Sequence, residues 1–171
     1  MGMVLVLGGA RSGKTRFAQE AAMAEAAKAS RAPLMIATAT ALDEEMAERI
    51  ARHQADRGPD WRPVEAPLDL AAAVRDLGAQ DVAVVDCLTL WLSNLMLADQ
   101  PVEPAAGELL AACSASAASL FLVSNEVGLG IAPDNPLARR FRDAAGRLHQ
   151  QIAAQAQQVV FLAAGLPLRL K

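Results

Sequence analysis

The sequence predicts an α/β fold, a mostly parallel sheet with helices on both faces, built around a phosphate-binding loop. Three observations carry this. Short apolar runs alternate with longer amphipathic stretches along the chain. The runs are continuously apolar, as expected of strands covered on both sides. The first run leads directly into Gly8-Gly9-Ala10-Arg11-Ser12-Gly13-Lys14-Thr15, which matches G-x-x-x-x-G-K-[ST].

The elements follow in order. Residues 3–7 (MVLVL) read as a buried strand closed by Gly8-Gly9, and residues 15–29, rich in Ala, as a helix. Residues 34–37 read as a second strand. Asp43 can cap a helix over 44–57, which Gly58-Pro59 stops. A third helix is expected over 67–77, with Pro67 at its start and Gly78 just past its end. Residues 82–85 form an apolar strand ending at Asp86, and 88–97 a helix. Residues 99–107 read as a connection rather than a domain boundary, and 103–118 as a helix of weak pattern. A strand over 120–123 is closed by Ser124-Asn125-Glu126. A long helix covers 135–157 with Pro136 in its first turn, and a final strand pair, 159–163 and 166–170, is joined through Gly165. Right-handed crossovers place the carboxyl ends of such strands on one edge, where ligands bind. No internal repeat is present, so one domain over residues 1–171 is expected.

Composition narrows the function. The 171 residues carry 16 Lys+Arg against 19 Asp+Glu, a net charge of -3, which argues against a partner held by phosphate contacts along nucleic acid. Aromatic residues make up 4% with no Tyr, too few for a base-stacking platform. The 53% hydrophobic share is raised by 38 Ala, and no uncharged apolar run reaches the ~18 residues a membrane span requires. The start, MGMVLVLGGARSGK, is too short and glycine-broken for a signal peptide. Cys87 and Cys113 form no CxxC pair. Together these point to a reduced, cytoplasmic chain without membrane insertion.

The loop has the parts that a triphosphate needs. Its glycines let backbone N–H groups turn inward around a phosphate. The helix behind it offers unsatisfied N–H groups and a positive dipole end. Lys14 can reach the β- and γ-phosphates, and the Thr15 hydroxyl can bind Mg²⁺. The motif leaves the base, adenine or guanine, and the acceptor open. Asp86 ends an apolar strand where a carboxylate can hold Mg²⁺ or its waters, although such a residue also caps helices.

Leu42, Met46, Ile50 and His53 share one face of the predicted second helix. On periodicity alone His53 is a structural histidine ending an apolar stripe. Arg49, Arg52 and Arg57 around it would suit a phosphate or a solvated face.

Further blocks complete the pattern: ATATALDEEMAERIARH at 37–53, the segment from Trp61-Arg62 to Glu65, VVDCLTLWLSNL at 84–95, and SNEVGLGIAPDNPLARRFRDAAGRLHQ at 124–150. With the phosphate loop, these resemble the bifunctional adenosylcobinamide kinase / adenosylcobinamide-phosphate guanylyltransferase family of cobalamin biosynthesis. The likeness covers nearly the whole chain. It implies a RecA-like sheet, a homotrimer, and two reactions. ATP or GTP phosphorylates adenosylcobinamide, and GMP from GTP then passes through a guanylyl-histidine to adenosylcobinamide phosphate. The product is adenosylcobinamide-GDP.

The family's guanylylated histidine falls on His53, which reverses the structural reading. A neutral imidazole is a good nucleophile near pH 7 and a good leaving group from phosphorus once polarised. By the same resemblance Gly8 to Thr15 would bind the nucleotide phosphates. Ala37, Thr38, Ala39, Gln54, Ala55, Asp56, Arg57, Glu65 and Asp86 would be further nucleotide contacts. Three positions depart from the pattern, one of them Thr15 in place of Ser, a chemically mild change. Arg52 stands where some members have a second histidine, and Asp86 where some have Glu, one methylene longer.

The segment from Ser124 to Gly128 reads equally well as a strand-end loop near acceptor or phosphate and as a plain turn. Arg139, Arg140 and Arg142 read as a solvated or subunit-contact face, His149, Trp61 and Trp91 as structural, and Cys87 as a buried small residue. Two other classes fit the phosphate loop by itself. One is a plain small-molecule kinase, which would use ATP without forming covalent GMP. The other is a RecA-type switch ATPase, which would hydrolyse slowly and not bind cobinamide.

Overall fold

A computed structural model describes residues 2–40 and 60–171. The predicted helix over 44–57, with His53, Gln54, Ala55, Asp56 and Arg57, lies outside the described residues.

Among the described residues, seven strands form one sheet in the order β3-β2-β4-β5-β1-β6-β7. These are β1 (Met3–Gly8), β2 (Leu34–Ala37), β3 (Arg62–Glu65), β4 (Val82–Asp86), β5 (Ser119–Asn125), β6 (Gln158–Ala163) and β7 (Leu166–Arg169). All neighbours are parallel except the β6–β7 hairpin. Its turn residues, Ala164 and Gly165, both have positive φ, 52° and 81°, which matches the right-handed twist of a two-residue hairpin. β7 is exposed along its length and carries Pro167, which has no N–H to offer a further strand.

Two layers cover the sheet. Helix α1 (Lys14–Lys28) lies on one face and buries Lys14, Ala18, Ala22 and Ala26, one residue per turn. Beyond Lys14 the stripe carries only methyl groups, so the helix packs close over Val6, Met35, Val84, Val123 and Val160. On the other face lie α2 (Leu70–Arg75), α3 (Leu88–Leu97), α4 (Val102–Ala115) and α5 (Pro136–Gln155). They bury larger side chains, among them Leu70, Trp91, Leu92, Leu109, Leu148 and Ile152, against Leu5, Leu7, Ile36, Val85, Leu120 and Leu122. Each such side chain contributes about 1.5–3 kcal/mol on burial. Even and odd residues of one strand therefore serve opposite layers, the period of two that strand geometry imposes.

Several boundaries differ from the sequence reading. The sequence reading contains no β3; it is an exposed edge strand, RPVE, with no apolar run to announce it. The third helix is shorter than 67–77 and starts after Pro67. Asp69 caps it, accepting a 3.3 Å hydrogen bond from the Ala72 N–H. The carbonyls of Pro67 and Leu68 instead accept from Asn94 Nδ2 (2.9 Å) and Trp91 Nε1 (2.7 Å), so tertiary bonds hold them outside the helix. α4 ends at Ala115 rather than 118, because Ala118 is buried at the entry to β5. α5 runs Pro136–Gln155, with Asn135 accepting from the Leu137 and Ala138 N–H groups at 2.7 and 3.3 Å. No helix among the described residues is long and apolar enough to cross a membrane.

Candidate functional site

The parallel register lines up the carboxyl ends of five strands. Along one edge stand Glu65, Ala37, Asp86, Asn125 and Gly8, ending β3, β2, β4, β5 and β1. The phosphate loop leaves this edge at Gly8. Gly8 has φ 154°, and a Cβ there would lie 2.5 Å from the Leu162 carbonyl and 2.6 Å from Ser12 Oγ. Gly13 has φ 95° and sits immediately before α1. Both positions require glycine, the second because a left-handed residue begins the helix there.

Neighbours hold the loop on both sides. The Glu126 N–H donates to the Gly8 carbonyl (2.9 Å), and the Gly165 N–H of the β6–β7 turn donates to the Ser12 carbonyl (3.0 Å). The Ser12 hydroxyl is buried with no hydrogen-bond partner among the described residues, inside a loop whose motif is built for phosphate. Lys14 is buried, and its Nζ donates to the Gly9 carbonyl at 2.5 Å. Burial pulls its ammonium below the usual lysine range, while nearby Cys87 and Asp86 oppose that shift. An anion in the loop would restore the partner that burial removes.

Thr15 stands in the first turn of α1, and its hydroxyl donates to Asp86 Oδ2 across the sheet edge at 3.1 Å. A hydroxyl and a carboxylate so placed form a hard-oxygen pair of the kind Mg²⁺ accepts beside phosphates. The remaining predicted residues are less uniform. Thr38 is fully buried, and its hydroxyl is closed off by Cys87: it donates to the Cys87 carbonyl (2.7 Å) and accepts from the Cys87 N–H (2.8 Å). That turn therefore presents half-buried Ala37 and Ala39. Asn94 fixes it from α3 by donating to the Thr38 carbonyl at 2.7 Å. Glu65 is exposed at the end of β3, four strand spacings from Gly8, roughly 19 Å. It can reach only the end of a nucleotide remote from the loop.

The structural expectations for other residues hold. Trp91 is buried in the core and Trp61 packs partly against the α1 layer. Cys87 is buried, and burial raises its thiol above the usual range, as it pushes Cys113 up to about 12. Arg139 donates to the carbonyls of Pro133 and Asp134, and Arg140 lines a cleft of about 460 Å³ that shares no residue with the phosphate loop.

One arrangement was not legible beforehand. His149, in α5, is buried with Nε2 2.7 Å from Ser124 Oγ and Nδ1 3.8 Å from Glu126 Oε2. Burial lowers its pKa, opposed by the Glu126 charge. The strand-end cluster Ser124-Asn125-Glu126 was the available signal; the histidine 25 residues beyond Ser124 was not.

Comparisons with known proteins agree with this architecture. The KaiC-like protein of Pyrococcus horikoshii superposes with a TM-score of 0.53 at 15% identity, covering 94% of this chain and 70% of that one. The flagellar accessory protein FlaH of Methanocaldococcus jannaschii gives 0.52 at 12% identity, covering 99% and 78%. The fold is the RecA-like P-loop NTPase fold. In sequence, the chain is 48% identical over 170 residues to the bifunctional adenosylcobalamin biosynthesis protein CobP of Pseudomonas aeruginosa, covering 98% of this chain and 96% of the relative. It is 38% identical to the bifunctional adenosylcobalamin biosynthesis protein CobU of Escherichia coli, covering 99% of each. The family model described as cobinamide kinase / cobinamide phosphate guanyltransferase matches residues 4–170. With the phosphate loop, the Thr15–Asp86 pair and this match over almost the whole length, the chain belongs to the cobinamide kinase / cobinamide phosphate guanyltransferase enzyme family.

Proposed function

We propose that this chain performs two reactions with one triphosphate site in a single domain. In the first, the aminopropanol hydroxyl of adenosylcobinamide attacks the γ-phosphorus of ATP or GTP, and the nucleoside diphosphate leaves. In the second, a His53 ring nitrogen attacks the α-phosphorus of GTP and pyrophosphate leaves. A phosphate oxygen of adenosylcobinamide phosphate then attacks the guanylyl-histidine, the P–N bond breaks, and adenosylcobinamide-GDP is released. The observation that carries this reading is Lys14, Thr15 and Asp86 gathered at one sheet edge in a chain that matches the family over residues 4–170.

In both halves Lys14 and the loop N–H groups would hold the phosphates in line and offset charge on their oxygens. Thr15 and Asp86 would hold Mg²⁺, whose charge would further stabilise those oxygens. Gly8, Gly9, Ala10, Arg11, Ser12 and Gly13 would wrap the phosphates. Ala37, Ala39 and Glu65 would lie toward the ribose and base, together with Gln54, Ala55, Asp56 and Arg57. A homotrimer acting in the cytoplasm belongs to the same proposal, and the two free buried thiols suit a reducing compartment.

The test is covalent labelling. Incubation with Mg²⁺ and GTP labelled at the α-phosphorus should leave acid-labile, base-stable label on the denatured protein. His53→Ala should carry none and keep part of its kinase activity. A His53→Ala protein that makes adenosylcobinamide-GDP at the wild-type rate would overturn the covalent route. Absence of label on wild-type protein that binds GTP would leave a plain kinase.

A further inference from the structure

We propose that Glu126 is the general base of the kinase half-reaction and that His149, backed by Ser124, positions its carboxylate. The inference rests on the reading that this chain phosphorylates an alcohol.

The two halves differ in one chemical respect. Of the nucleophiles involved, only the acceptor alcohol must lose a proton as it attacks. A neutral imidazole attacks through a free lone pair, and a phosphate monoester attacks through an oxygen already ionised at pH 7. A carboxylate base is therefore needed for phosphorylation and not for guanylylation.

Glu126 lies beside the phosphate loop. It follows β5, the strand between the phosphate loop on β1 and Asp86 on β4. Its own N–H is bonded to Gly8, the first residue of the loop, at 2.9 Å. Its carboxylate has a neighbour on each side: Oε1 accepts a hydrogen bond from the Gly128 N–H, and Oε2 faces His149 Nδ1 at 3.8 Å. The side chain keeps 22% of its surface exposed, so one side remains open to an acceptor.

The imidazole behind it is set up to orient without neutralising. Nε2 lies 2.7 Å from the Ser124 hydroxyl; in the tautomer that a carboxylate on the Nδ1 side favours, Nδ1 carries the proton and Nε2 accepts from Ser124. Burial disfavours the charged form of the ring, so that Glu126 faces an N–H dipole rather than a full cation. Ser124 is completely buried and cannot act as a nucleophile, which excludes a hydrolase-like use of the same three side chains.

The step balances as follows. The alcohol oxygen forms a bond to the γ-phosphorus and passes its proton to a Glu126 carboxylate oxygen. The bond from the γ-phosphorus to the β,γ-bridging oxygen breaks, and the nucleoside diphosphate leaves with that electron pair. Glu126 then returns the proton to solvent.

Glu126→Gln keeps the shape and the acceptor for Gly128 but cannot take a proton. Each half is measured separately, with adenosylcobinamide and γ-labelled ATP for the kinase and α-labelled GTP without acceptor for guanylyl-enzyme formation. The kinase kcat should fall by about 10²-fold or more, with the acceptor KM within about threefold. Guanylyl-enzyme should still form within about threefold of the wild-type rate, which also reports an intact fold. His149→Ala should lower the kinase kcat more than its KM effect. His149→Asn, whose amide N–H stands near the Nδ1 position, should recover part of that loss. A Glu126→Gln protein with wild-type kinase kcat overturns the assignment. So does an equal loss of both halves, which would make Glu126 a prop for the phosphate loop. A wild-type protein that does not phosphorylate adenosylcobinamide overturns the underlying reading itself, and this control separates the two failures.

Discussion

The ends of β4 and β5 are neighbours at the same sheet edge, yet their carboxylates are directed to opposite layers. Asp86 continues the even-numbered face of β4, with Val82 and Val84, toward α1, and accepts from Thr15 at 3.1 Å. Glu126 continues the even-numbered face of β5, with Leu120 and Leu122, toward α5, where His149 lies 3.8 Å away. The parity of two adjacent strands thus separates two acidic groups that the chain could otherwise have crowded together. One edge can then carry a carboxylate committed to the phosphate loop and another committed to a different chemical task.

Substitutions can break this contrast. Lys14→Ala should have the largest effect, lowering both half-reactions by about 10³-fold, since both depend on charge stabilisation at phosphate oxygens. Separate γ- and α-label assays check it, and damage confined to one half would mean that the two reactions do not share a site. Asp86→Asn should follow, with both halves reduced by about 10²-fold and a raised Mg²⁺ requirement read from a metal titration. If Asp86→Asn spared guanylylation as Glu126→Gln is expected to, the contrast between the two strand ends would collapse.

His149→Asn should have the smallest effect, costing about 1 kcal/mol at neutral pH through the lost Ser124 hydrogen bond. It should also change the acid response. Burial holds the folded-state pKa of His149 below its unfolded value of about 6.5, so unfolding takes up a proton at moderately acid pH. The stability that the neutral ring contributes is therefore present above that value and falls as pH drops below it. Urea titrations at several pH values should show this acid-side loss in the wild type and a shallower one in the variant. Equal slopes would mean that the ring titrates as it does in the unfolded chain.

Legibility in the sequence varied by region. β1, β2 and β4 were readable because a strand covered on both faces must be continuously apolar, and the phosphate loop because its glycines and Lys14 have few other uses in that order. β3 was not readable: an exposed edge strand of Arg62, Pro63, Val64 and Glu65 carries no burial pattern. The third helix is shorter than its Pro67 start suggests, because Asn94 and Trp91 hold the Pro67 and Leu68 carbonyls from α3. Thr38 is a nucleotide contact by resemblance alone, and only the fold shows that its hydroxyl is engaged with the Cys87 backbone. His149 looked structural by periodicity and is buried, but its two ring partners come from the sheet edge.

What the sequence determined by itself is what local spacing and burial dictate: the alternation of strands and helices, the phosphate loop with Lys14 and Thr15, and Asp86 as the acidic strand end. These depend on contiguous residues or on a period of two or 3.6, and the chain carries them wherever it is placed. Tertiary structure alone decided the partners: Thr15 with Asp86, 71 residues apart, and Ser124 and Glu126 with His149. The strand order, which sets β5 between β1 and β4, decided which polar group stands beside the loop. Pairings of that kind depend on which strands become neighbours and which face each residue takes, and no spacing along the chain encodes them.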